Sequence, residues 1–343
     1  MTKAVKIAKE IHKKIVLTGI TPSGTPHIGN YIGAIKPALE MAKNPDFDAY
    51  FFIADYHSLI KLWDAQLRQQ YIYEIAATWL AAGLDPKKVM FYRQSDIPEI
   101  MELNWILTSI TAKGLLNRAH AYKAAVDANI AEGEKDEDAG VTMGLFNYPM
   151  LMAADIIMFS ADLVPVGKDQ IQHIEIARDI ANRLNHIYGS HLLKAPEALV
   201  DKDTQTILGL DGRKMSKSYN NTIPLFAPSK LLKKLVMKIV TNSQLPEEPK
   251  EVKDCMIFAL YKHFADETEV SILAKRYQIG IGWGEAKQML FEKMDAVLTP
   301  MREKYEYLLA NKQIIDEYLA EGAAKVRIEA QHLLVRLKQQ IGL

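Results

Sequence analysis

The chain has 343 residues, 49% of them hydrophobic and 24% charged, with 42 Lys+Arg set against 42 Asp+Glu. That length supports a large core and two domains, and the balanced charge excludes a global field aimed at nucleic acid, so any such contact is a local patch. A single cysteine, Cys255, excludes an internal disulfide, a cysteine-rich zinc site and an iron–sulfur cluster.

In chain order, the opening MTKAVKIAKEIHKKIVL lacks the uninterrupted apolar core of a signal peptide. No stretch approaches the roughly 18 apolar residues of a membrane span, so a cytoplasmic protein is expected. Ile15-Val16-Leu17 reads as a short buried strand. It runs into LTGITPSGTPHIGNYIGAI, in which Ile28, Tyr31, Ile32 and Ile35 recur at helical spacing, so a helix begins near His27 or Ile28. A strand, a glycine-rich turn and a helix N-terminus suit an anion through unpaired N–H groups and the helix dipole. Neither P-loop nor G-x-G-x-x-G spacing is present, and a plain βα turn fits equally well at this point. AYFFIADYHSLI, the helical QYIYEIAATWLAAGL and KVMFYRQSDIP continue a βαβα rhythm, which predicts an α/β fold with a parallel sheet covered on both faces. Residues 101–130 read as helix-rich, and AEGEKDEDAGVTMG reads as a surface loop. Helical patterns at 149–159 and 169–188 flank a short strand in ADLVPVG, and from about 228 to 343 the pattern is almost wholly helical.

KMSKS, Lys214 to Ser218, lies in a polar loop with Gly209 and Gly212 nearby. Two lysines among small hydroxyl residues can neutralise a polyphosphate, although alone such a cluster is equally a solvated loop. Paired with the upstream His27-Ile28-Gly29-Asn30 on a parallel-sheet scaffold, it resembles the two signature sequences of class I aminoacyl-tRNA synthetases. NYPMLMAADIIMF, LVPVGKDQIQHIEIARDIANRLN and GLDGRKMSKS are similar to segments of the bacterial tryptophanyl-tRNA synthetases.

That resemblance implies a Rossmann-like catalytic domain over 1–225, with a helical insertion at 101–165 as dimer interface. It implies an α-helical anticodon-binding domain over 226–322 and a C-terminal helix over 323–343. ATP contacts fall on Thr21, Pro22, Ser23, Gly29, Asn30, Gly167, Lys168, Asp169, Ile207, Lys214, Met215, Ser216, Lys217 and Ser218. The tryptophan pocket takes Tyr148, Met152, Asp155 and Gln170, with His57 and Val166. His27, Asn30, Lys214 and Lys217 carry catalysis by charge stabilisation, with magnesium on the triphosphate and no protein metal site. The implied partners are L-tryptophan, tRNA(Trp) and a second copy of the chain, with no membrane. Gly29 is expected to let adenine lie on backbone, and Asp169 to accept from ribose hydroxyls. Thr21, Lys168 and His27 depart from the commoner bacterial pattern, in which glutamine, glutamate and threonine stand there.

The residues themselves add weight. Asp155 is a carboxylate on a helix apolar on most faces, so it needs a donor, and the indole N–H is the candidate. Met152 and Tyr148 share its face by helical spacing. His57 ends a strand, where ligands gather, though a packed histidine fits as well, and His173 shares a helix with Gln170. Lys230, Lys234 and Lys238, with Lys233 beside them, form either a tRNA backbone stripe or a solvated face. A tyrosyl-tRNA synthetase, a nucleotidyltransferase with a related turn and a non-catalytic RNA-binding derivative remain the alternatives.

Overall fold

The structure, a computed structural model, describes residues 13–189, 191–200, 207–253 and 255–343. Five strands form one all-parallel sheet in the order β3-β2-β1-β4-β5. They are β1 (Lys14–Ile20), β2 (Phe47–Ile53), β3 (Met90–Arg93), β4 (Leu163–Pro165) and β5 (Glu197–Leu199). Alternation along β2 sends Ala49, Phe51 and Ile53 into one hydrophobic core and Tyr50 and Phe52 into another on the opposite face. Helices therefore cover both sides, as the apolar strand runs demand.

Strand order reverses at β1. The chain moves outward to β2 and β3, then returns to place β4 on the other flank. Such a switch leaves a crevice beyond the carboxyl ends of β1 and β4, where open parallel sheets bind ligands. Gly19, near the end of β1, has Phe52 lying over it, since a Cβ built there would meet the ring at 2.4 Å.

Helix Met143–Met158 starts at an N-cap, Thr142, whose hydroxyl accepts from Leu145 N at 3.2 Å. It begins earlier than the expected 149 because Pro149 is carried inside it. A proline there forgoes one backbone hydrogen bond, which the sequence pattern reads as a start. The C-terminal helix is one unbroken element, Lys312–Ile341, so the boundary expected at 322/323 falls within it. At Gly322 the helix presses so closely on β3 that a Cβ there would run into the Phe91 carbonyl. The helix thereby covers the open edge of β3, a strand edge that would otherwise be free to pair with another chain. It is pinned by Arg327 to Glu99 at 2.9 Å and by Tyr50 Oη donating to Glu329 at 2.8 Å.

Candidate active site

Two cavities lie side by side at the switch point, about 740 Å³ and about 760 Å³ in volume, sharing Ser23 and Gly167. The first is lined by Thr21, Pro22, His57, Tyr148, Met152, Asp155, Val166 and Gln170. The second is lined by His27, Gly29, Asn30, Lys168, Ile207 and the whole Lys214–Ser218 loop. The residues singled out from the sequence thus converge, apart from Asp169, whose side chain lies outside the described residues. Thr21 and Pro22, expected with the nucleotide, line only the first cavity.

Asp155 sits in the first cavity at 1% exposure. Its carboxylate is already partnered: Gln94 Nε2 donates to both oxygens at 2.8 Å, and His57 Nε2 lies 3.0 Å from Oδ2. Burial pushes its pKa up, while the His57 and Gln94 contacts oppose that shift. Gln94 is fully buried in the short turn after β3, and its Oε1 accepts from Tyr56 N at 3.1 Å, so its amide orientation is fixed. Asp55 backs the same assembly, accepting from Ser95 N at 3.0 Å and from Ser95 Oγ at 2.5 Å. His57 does not end the strand but stands on a short helix, Asp55–Ser58, one step beyond β2. Tyr148 Oη lies 2.8 Å from His173 Nε2, which places His173 behind the pocket wall.

The second cavity is built by two motifs locked together. Ile28 N donates to Ile223 O at 2.9 Å and Leu225 N to Pro26 O at 3.1 Å, which ties the turn to the segment after KMSKS. His27 caps the helix in a reciprocal box. Its Nδ1 accepts from Asn30 N at 3.3 Å, and Asn30 Oδ1 accepts from His27 N at 3.0 Å. Burial first, then the Lys217 charge, lower the His27 pKa to about 4, so the ring is neutral. With Nδ1 accepting, the proton resides on Nε2, the one ring nitrogen left to donate to an anion.

Lys217 reaches over the turn: a Cβ at Gly24, whose φ is +137°, would lie 2.6 Å from its Nζ. Half-burial lowers the Lys217 pKa, so its ammonium is poorly solvated and ready for an anion. Met215 covers Gly29, with Sδ 3.3 Å from the Gly29 amide nitrogen. The surface expected to receive adenine is thus occupied by a flexible thioether, which can give way where a β-branched side chain could not.

Asn221 holds the loop. Buried, it accepts from Ser216 N at 2.8 Å and donates to Asp211 Oδ1 at 2.7 Å and to Lys214 O at 3.1 Å. Gly209 is required beside it, because a Cβ there would lie 2.3 Å from the Asn221 amide.

Together the topology and the paired motifs define a class of protein, a parallel α/β nucleotide-binding domain with a lysine–serine loop over a helix N-terminus. The family model for tRNA synthetases class I (W and Y) matches residues 9–299, and the chain belongs to that family. It is 56% identical over 329 residues to the "Tryptophan--tRNA ligase" of Xanthomonas campestris, covering 96% of this chain and 76% of that one. It is 54% identical to the Pseudomonas aeruginosa "Tryptophan--tRNA ligase", covering 96% and 73%. The Campylobacter jejuni tryptophanyl-tRNA synthetase structure, "complexed with ADP and Tryptophane", superposes with a TM-score of 0.86 at 44% identity, covering 96% of this chain and all of that one.

Proposed function

We propose that the chain activates L-tryptophan with ATP, releasing pyrophosphate, and transfers the tryptophanyl group to tRNA(Trp). The observation that carries this reading is the meeting of two cavities at Ser23 and Gly167, one ending on a buried carboxylate, the other ringed by Lys214, Lys217 and His27. Indole N–H is a donor with no acceptor capacity, which suits Asp155. The amino-acid carboxylate attacks the α-phosphorus, and the bond to pyrophosphate breaks. The 3′-terminal ribose hydroxyl then attacks the mixed-anhydride carbonyl and AMP leaves, so no side-chain nucleophile is needed. Lys214, Lys217 and neutral His27, donating from Nε2, face the charge that redistributes onto leaving phosphate oxygens. Asn30 shapes His27 through the capping box, and Gln94 and His57 aim Asp155.

Magnesium offsets the charge of the triphosphate in this reading. The second cavity offers lysines, serines and glycines, and no cluster of three His, Cys, Asp or Glu side chains occurs among the described residues. The ion would travel with the triphosphate, and Lys214 and Lys217 would supply further positive charge beside it. A homodimer forms through 101–165, supported by Trp105 and Met143, 71% and 72% exposed on that insertion. The helical region from 226 to 322 engages the anticodon end, with the Lys230–Lys238 face against phosphates. No described helix is long and apolar enough to cross a membrane, and a cytoplasmic setting fits the tRNA partner. Tryptophan-dependent ATP–pyrophosphate exchange tests the reading.

A further inference from the structure

The transfer step needs a route for the tRNA 3′ end that neither the sheet nor the KMSKS loop blocks. A turn beyond β2, comprising Ile60, Lys61 and Leu62, lines the first cavity together with Ala121 and Leu145. This turn is a fixed lip. Lys61 N and Leu62 N both donate to Ser58 O, at 3.2 and 2.9 Å, and Ser58 Oγ donates to Asp55 O at 2.6 Å. Asp55 is itself anchored on Ser95. Lys61 is exposed and has no ion-pair partner among the described residues. Trp63, two residues on, is 78% exposed. An exposed ammonium on the cavity wall, followed two residues later by a bare indole, matches a single-stranded nucleic-acid end, which offers phosphates to one and base faces to the other.

We propose that Lys61 and Trp63 form the landing for the 3′-terminal nucleotides of the tRNA, the indole stacking on a base and the ammonium meeting a backbone phosphate. The assignment rests on the tRNA-acylating reading above. It is kept separate from the dimer surface because Lys61 belongs to the cavity wall itself, and a second copy seated there would close the route.

The test compares wild type with W63A, W63F and K61A, using a full-length tRNA(Trp) transcript. Wild-type tryptophan-dependent pyrophosphate exchange is measured first, and its absence refutes the underlying reading rather than the landing. Given that exchange, W63A retains it within about twofold, because Trp63 lies outside both cavities. Single-turnover transfer from preformed adenylate to tRNA then falls at least tenfold at subsaturating tRNA, the scale of one lost stacked base. W63F recovers most of the loss. K61A weakens tRNA binding and lowers the logarithmic salt slope of that binding by about 0.7, as for one single-strand phosphate contact. Transfer within twofold of wild type in W63A overturns the proposal. So does an equal loss in W63F and W63A, an unchanged salt slope in K61A, or dissociation of a dimer by W63A in sedimentation, which assigns the surface to a second copy.

Discussion

Replacing Gln94 with alanine removes one amide that donates to both Asp155 oxygens at 2.8 Å. A hydrogen bond to a charged group is worth about 1.5–3 kcal/mol. His57 stays 3.0 Å from Oδ2, so Asp155 keeps one partner but loses its fixed direction. Tyr56 N keeps Asp55 Oδ1 at 3.1 Å as acceptor, so the lost Oε1 contact does not orphan that amide. Tryptophan affinity is therefore expected to fall about ten- to a hundredfold, the binding equivalent of that energy. The pH profile shifts as well. Burial raises the Asp155 pKa and the Gln94 bond lowers it, so the variant's carboxyl protonates at higher pH. A protonated Asp155 makes a poorer acceptor for indole N–H, and tryptophan binding should weaken as pH falls, from a higher starting pH than in wild type. The sign also holds for folding: a raised carboxyl pKa costs stability as pH climbs from the ordinary aspartate range through the native value. The assay is equilibrium tryptophan binding between pH 5 and 8, with denaturant unfolding at each pH as a control. Tryptophan affinity within twofold of wild type across that range, in a folded variant, refutes the role given to Gln94.

K217A should slow adenylate formation by roughly 3 kcal/mol, about a hundredfold or more, with tryptophan affinity nearly unchanged, as rapid-quench measurements would show. N221A should leave Ser216 N without its acceptor and loosen the KMSKS loop, raising the KM for ATP while tryptophan binding holds. G322A forces a methyl group into the Phe91 carbonyl and should destabilise the fold by about 1–3 kcal/mol, read as a lower urea midpoint. The His27 pKa, lowered to about 4, means that the unfolded chain binds the proton first as pH falls. Stability should thus decline from about pH 6.5 toward pH 4, and H27Q should flatten that part of the profile.

The parts readable from sequence were those written in local chemistry. A β-branched run, a glycine–proline turn and helical spacing after His27 specify β1, the turn and the helix without any distant partner. The two signature motifs became informative once paired, and the fold joins them through backbone bonds at Ile28 and Leu225. Gln94 was missed because a lone glutamine after KVMFYR carries no periodic signal. Its one clue was position, a polar residue at the carboxyl end of a parallel strand. Asn221 was missed because NN after KMSKSY reads as an ordinary turn, although Asn220 takes φ +49° and Asn221 turns inward. Asp155 was legible as a buried carboxylate in need of a donor, but its protein donors sit 61 and 98 residues away in sequence. The position 322/323 lies inside a continuous helix, where Gly322, a residue that weakens helices by propensity, is required by the close approach to β3.

Amino-acid-dependent ATP–pyrophosphate exchange, run on the full chain with each of the twenty amino acids, tests the central claim most directly. Tryptophan should drive exchange far better than tyrosine, and phenylalanine, which lacks any group to donate to Asp155, should give at most about one ten-thousandth of its kcat/KM, the scale on which a site built to bond a polar group rejects an analogue lacking it. Exchange driven better by tyrosine than by tryptophan, or by no amino acid at all, would contradict the account.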